Sequence, residues 1–284
     1  MHNYIFDKFD EVEESIKKIA PPFVYKYRGD WKNKYHRELI TEQLAWFAAP
    51  RELNDPHDIR IPMQFDLKEI EHPLFFEKLK KQLLADNPST AFTERDLNVI
   101  CENKLDEIRS NPQAYFEKNY RDLRESNTYD RVGLFSCTTD ELNEKMWAHY
   151  ANNYTGFVVG FITVELCRNF LSGAGPVKYS DEVPLFSFIY PKPDEDFDNY
   201  YLKSTKWIDE KEFRFQTISD DHNFNRAKKF TVESVSEFLI GTKFPEDQKE
   251  EFINEIRKIY SKEIPIYQVI PKVSGFGLEK IKIR

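Results

Sequence analysis

Glu210, Glu212 and Arg214 alternate along Trp207-Ile-Asp-Glu-Lys-Glu-Phe-Arg-Phe215. On an extended chain alternate side chains share a face, so the three form one polar platform with neighbours ~6–7 Å apart. Phe213 and Phe215 then take the opposite face. Two carboxylates beside a guanidinium can hold a ribose hydroxyl or stabilise an oxocarbenium-like transition state. The same alternation also describes an ordinary half-buried strand whose charged face meets water.

Three further groups carry chemistry. In Met146-Trp-Ala-His149-Tyr150, helical spacing puts Leu142, Met146, His149, Tyr150 and Asn153 on one stripe. A histidine there is either a base or a core residue with a hydrogen-bond partner. In Tyr25-Lys-Tyr-Arg28, strand alternation separates the tyrosines from Lys26 and Arg28, a cation pair suited to phosphate. Asn54-Asp-Pro-His-Asp58 clusters carboxylates and a histidine, but its spacing fits no zinc or calcium site, and Asx-Pro turn chemistry accounts for it. No metal is expected. The phosphate-loop, dinucleotide and nucleophile-elbow glycine motifs are absent.

The elements that must position these residues follow from periodicity. An amphipathic N-terminal helix is expected over 4–20, ended by Pro21-Pro22. Strands are expected at Phe23 to Arg28, Leu44 to Ala48, Val132 to Cys137, Phe157 to Thr163, Val177 to Tyr179 and Glu212 to Ile218, with two more in the tail, Ile264 to Ile270 and Lys280 to Ile283. Helices are expected over 34–43, 141–152, 197–207, 231–239 and 246–260. Between about 66 and 130 the texture becomes Lys-, Glu-, Leu- and Phe-rich with few β-branched residues. That stretch predicts a helical insertion broken near Asn87-Pro88 and Asn111-Pro112. The irregular interleaving of strands and helices predicts an α+β fold over 1–284: a central mixed, largely antiparallel sheet with flanking helices and the insertion.

Composition narrows the class. In 284 residues, 41 Lys and Arg stand against 49 Asp and Glu, a net charge of -8, which disfavours broad attraction to nucleic acid. Aromatic residues at 15% supply a large core. Cys101, Cys137 and Cys167 form no disulfide framework, so a reducing, cytoplasmic setting is expected. No apolar run approaches the ~20 residues that span a bilayer, so no membrane partner is expected.

Taken in order, Tyr25 to Arg28, Asn54 to Asp58, Phe135-Ser136, Met146 to Ala151, Gly156 to Phe161, Val177 to Tyr179 and Trp207 to Arg214 form a recurring pattern. This set resembles the bacterial and phage proteins grouped as domain of unknown function 2971, over about 25–270. His57 stands where that family usually has an aromatic residue. The family supplies no activity. A looser resemblance is to the ADP-ribosyltransferase fold, with Arg28 on the first strand, then Ser136 or Tyr150, then the Glu210/Glu212 pair. Ser136-Cys-Thr138 stands where that fold has a Ser-Thr-Ser motif.

The second resemblance implies an NAD-consuming enzyme, a transferase or glycohydrolase acting as a toxin or phage-defence effector. NAD would be its substrate and an unidentified protein or nucleic acid its acceptor. Glu212, with Glu210 and His149, would be catalytic, Glu212 orienting the nicotinamide ribose. Arg28, Lys26, Tyr27, Ser136, Trp147, Tyr150 and Arg214 would bind the dinucleotide, the aromatics by stacking on nicotinamide. Two readings from other classes stay open. One is a metal-dependent nucleic-acid-processing enzyme using Asp55, Asp58, Glu210 and Glu212. The other is a non-catalytic nucleotide- or protein-binding module. The oligomeric state is not readable.

Overall fold

The computed structural model describes residues 17–284 except 19, 63, 128, 171–172, 191–199, 220, 222–223 and 262. The helix expected over 4–20 falls almost wholly outside them.

Eight strands build the main sheet. In chain order they are β1 (Phe23–Arg28), β2 (Val132–Thr138), β3 (Phe157–Ile162), β4 (Gly173–Pro176), β5 (Glu212–Ile218), β6 (Val235–Ile240), β7 (Ile266–Pro271) and β8 (Leu278–Lys282). Their spatial order is β8-β7-β6-β3-β1-β2-β5-β4. Within the sheet β6 and β7 run parallel and the other neighbours antiparallel. With flanking helices this is an α+β fold.

The phenylalanines decide which face is the core. Phe135, Phe157, Phe161, Phe213, Phe215 and Phe238 lie on one side with the buried faces of helices Lys34–Thr41, Thr163–Phe170 and Glu246–Ile259. Tyr25, Tyr27, Val158 and Leu239 face the other side and pack on Trp147 and Ala151. Helices Pro73–Asp86, Glu94–Ser110 and Pro112–Asn127 build a smaller core of their own with Phe65 and Ile189. Their limits follow local chemistry. Pro73 and Pro112 open two of them, where a missing N–H costs nothing, and Thr93 with Asp96 caps the third reciprocally.

Three expectations are corrected. Residues 231–239 are not a helix: a short turn at Val232–Ser234 leads into β6. The spacing of Val232, Val235, Phe238 and Leu239 mimics a helix because β6 is buried on both faces and needs apolar residues on both. The described part of 197–207 holds a short strand, Leu202–Lys203, followed by a 3-10 turn, Thr205–Glu210. The helix expected over 141–152 spans only Glu144–His149. It is followed by Asn152, Asn153 and Tyr154 in succession at φ 47°, 53° and 70°. That left-handed turn fits because Gly156 and Gly241 lack a Cβ. One would lie 2.1 Å from the Arg28 carbonyl oxygen and 2.0 Å from that of Tyr154, respectively.

The sheet is open at one point. β1 pairs with β3 along its length but meets β2 only at Tyr25↔Thr138. Beyond that bridge the two strands part. Leu134 of β2 exchanges hydrogen bonds with Ala48 instead, at 2.8 and 2.9 Å.

Candidate functional site: a cleft where the sheet parts

The parted strands open a cleft of about 280 Å³ lined by Lys26, Arg28, Ser136, Tyr150, Glu210 and Glu212 among others. Register explains how opposite charges reach it. Tyr25, Thr138 and Glu212 stand side by side across three strands, so Glu212 and Arg214 share the face of Tyr25. Lys26 and Arg28 belong to the opposite face, with Phe135 and Phe213. Only a gap in the ladder lets both sets border one cavity.

On the acidic side lies a buried ion network. Arg214 donates to both Asp58 oxygens at 2.9 Å, to Glu212 at 2.8 and 3.0 Å, and to the Tyr200 carbonyl at 2.7 Å. The Lys203 ammonium donates to Glu210 at 2.6 Å and Glu212 at 3.2 Å, with Asp58 at 3.6 Å. It also lies 4.8 Å from the Trp207 ring centre. Burial alone would raise the Glu212 carboxyl, but Arg214 and Lys203 outweigh it and hold it at about 2. The same carboxylates keep Lys203 and Arg214 charged against their own burial. Tyr150 donates to Glu210 and accepts from Asn54 Nδ2 at 2.9 Å. Burial, then that bond to Glu210, raises its phenol, so it works as a neutral donor.

The cationic side is different. Lys26 donates to the Ser136 carbonyl and lies 4.9 Å from the Phe135 ring centre, with no carboxylate of the described residues bonded to it. Burial, then Arg28, lowers it to about 8. Burial lowers Arg28 to about 10, and its Nε is buried without a hydrogen-bond partner. Cys137, between the two lips, is pushed up to about 12 by burial, so it is a thiol and a poor nucleophile at neutral pH.

Backbone geometry supports this network. Glu210 ends its 3-10 turn, and Lys211 at φ 44° turns the chain before β5 begins at Glu212. Glu210 and Glu212 therefore meet through a left-handed kink, not through the continuous strand alternation expected for 210–215. Across the cleft the Asn54-Asp-Pro-His-Asp58 segment is a turn, as its composition implies. Asp55 accepts from His57 N at 2.9 Å, and Asp58 N returns to the Asp55 carbonyl at 3.1 Å. Ile59 follows at φ 66°, a strained conformation for a β-branched residue, in the turn that aims Asp58 at Arg214.

A family model described as protein of unknown function (DUF2971) matches residues 146–215. That stretch of the chain is similar to the DUF2971 family. No curated protein and no solved structure matches it. The DUF2971 stretch includes Tyr150, Lys203, Glu210, Glu212 and Arg214, so most of the acidic network lies within it. Lys26, Arg28 and Asp58 come from outside.

Most residues singled out from sequence converge. Lys26, Tyr27, Arg28, Ser136, Tyr150, Glu210 and Glu212 line the cleft, with Arg214 buried behind Glu212. His149 does not join them. The short helix ends there and leaves its side chain exposed, not in the buried stripe expected for it. Trp147 is fully buried, packed edge-on to Tyr27 at 5.2 Å with its Nε1 on the Glu141 carbonyl. It does not line the cleft. Sequence reasoning missed Lys203 as the hub and Asp58 as the partner of Arg214. Neither carries a local signal, because a buried ion pair is recognisable only when its partner is known. Among the described residues no group of three His, Cys, Asp or Glu is disposed to hold a metal ion. Likewise, none of their helices is long and apolar enough to cross a membrane.

Proposed function

We propose that the cleft binds NAD and that the protein transfers the ADP-ribosyl group to a macromolecular acceptor, as a cytoplasmic toxin or defence effector. The observation that carries this reading is the facing of two unlike sets of charge. Lys26 and Arg28 are half-buried cations with no bonded carboxylate among the described residues, and a diphosphate is the kind of anion that would relieve them. Opposite them, Glu212 is held ionised at neutral pH. It is a poor general base and a good hydrogen-bond acceptor for ribose hydroxyls. Its charge also opposes the positive charge that builds on the ribose.

In that reaction the bond between ribose C1′ and the nicotinamide nitrogen breaks. Its electron pair neutralises the pyridinium. The acceptor's lone pair forms the new bond to C1′, and the acceptor's proton passes to solvent. Glu210, held by Tyr150 and Lys203, presents a second carboxylate to the same region.

A second reading, a non-catalytic nucleotide-binding module, draws on the saturation of Glu212 by Arg214 and Lys203. The metal-dependent reading has less support, because Asp58, Glu210 and Glu212 are turned onto the Lys203 and Arg214 cations.

Purified protein incubated with radiolabelled NAD, with and without bacterial extract, tests these readings. Glu210→Gln and Glu212→Gln variants run beside it, each checked for folding. Label transferred to extract, or nicotinamide released, and lost in folded Glu210→Gln protein, is the expected result. Tight NAD binding without turnover would favour the module. Absence of both binding and turnover sinks the NAD reading.

A further inference from the structure

A second cavity of about 340 Å³ adjoins the cleft through Arg28 and Trp46, which border both. It is flanked by Tyr35 at the start of helix Lys34–Thr41 and by Trp46 of the short strand Leu44–Trp46. Both are unusually exposed for aromatics, at 77% and 50%. Apolar rings left in water beside a cavity point to a flat partner. Trp46 is pre-set for one. Its Nε1 donates to Glu52 at 3.0 Å, which fixes the plane of the indole. Its cross-strand neighbour is Ala227, whose small side chain leaves the cavity open. Glu38 adds an acceptor to the wall.

We propose that this cavity is the purine subsite of the same ligand, stacking the adenine of an adenine nucleotide on Trp46 and Tyr35. The proposal rests on the NAD reading above. Arg28 stands at the junction, half-buried in the wall, with its Nε buried and without a hydrogen-bond partner among the described residues. A diphosphate on Arg28 would lead from the ribose in the cleft to a base in the second cavity. The Glu38 carboxylate suits the exocyclic amine of adenine, which donates.

The test is calorimetric titration of NAD, ADP-ribose and nicotinamide mononucleotide, which lacks the adenosine half. The wild type is compared with Trp46→Ala, Tyr35→Ala and Ala227→Leu, the last filling the cavity without removing a ring. The expected result is that each variant weakens NAD and ADP-ribose by roughly 5- to 100-fold, the range for loss of one stacking partner, while the mononucleotide is unchanged in Tyr35→Ala and Ala227→Leu, whose residues do not border the cleft. Thermal melts confirm that the variants are folded. Unchanged ADP-ribose affinity in folded variants would overturn the subsite and leave the NAD reading standing. An equal loss for the mononucleotide in Tyr35→Ala or Ala227→Leu would do the same. Failure of the wild type to bind any of the three overturns both.

Discussion

Asp58 and Arg214, 156 positions apart in the chain, meet in a two-pronged ion pair with both nitrogen–oxygen distances at 2.9 Å. Both side chains are buried, so the pair ties the turn at 54–58 to the sheet. Removing one partner leaves the other under-paired in a dry interior, Arg214 with Glu212 alone or Asp58 with Lys203 at 3.6 Å, at a cost of up to about 3–5 kcal/mol. Asp58→Asn and Arg214→Met should each lower the unfolding midpoint strongly in denaturant. The double variant Asp58→Asn/Arg214→Met should be less damaged than the two losses added, because no unpaired charge remains at this pair. Strict additivity would contradict the pairing.

The Glu212 carboxyl, held at about 2 by Arg214 and Lys203, makes stability depend on acid. Its folded value lies below the ordinary one near 4.5. Its contribution is therefore complete above about pH 4.5 and is lost as pH falls toward 2. The contribution is on the order of 2–4 kcal/mol. Wild type and Glu212→Gln should differ most near neutral pH and converge across that acid window. Parallel curves from pH 7 to pH 2 would show that the carboxylate is not stabilised as described.

Lys26 runs the other way. Burial lowers it from near 10.5 to about 8, so the unfolded chain keeps a proton that the folded protein releases between those values. The charged form opposes folding below pH 8, and stability rises with pH from about 8 to 10.5. Lys26→Met should stabilise the unliganded protein at pH 7 by about 1–3 kcal/mol, partly offset by loss of the bond to the Ser136 carbonyl. The same variant should lose NAD binding. Gain of stability with loss of binding would mark Lys26 as a ligand group, whereas a destabilised variant would argue that it is structural.

Gly156 holds the end of β1. A methyl group there would sit 2.1 Å from the Arg28 carbonyl oxygen, so backbone must move. Gly156→Ala should cost about 2–4 kcal/mol and displace Arg28. At Gly175 a Cβ would lie 3.4 Å from the Tyr201 ring, an ordinary contact. Gly175→Ala should stay within about 1 kcal/mol of wild type in the same melts. Equal effects at the two positions would refute the crowding argument.

Local pattern carried much of this protein. Alternation in Phe23 to Arg28 and Glu212 to Ile218, proline and asparagine breaks in the insertion, and the Asx-Pro turn at 54–56 all act over a few residues. They were legible because the forces that set them are local. The same local reading failed at 231–239, where burial of β6 on both faces imitates helical spacing. It failed again after His149, where a left-handed turn depends on glycines at 156 and 241 that accept close backbone contact.

The site residues were legible as types, and their meeting was not. The order of Arg28, Ser136, Tyr150, Glu210 and Glu212 can be read along the chain. That Lys203 sits among three carboxylates, and that Asp58 pairs with Arg214, cannot. Those contacts join segments far apart in sequence, and they form only because the sheet brings the segments to one place. The parting of β1 from β2 is likewise tertiary. It arises where Ala48 takes the hydrogen bonds of Leu134 that a continuous ladder would have used. Sequence determined which side chains carry charge and which strands they ride on. Long-range backbone pairing decided that charges from opposite faces of one sheet border the same cleft.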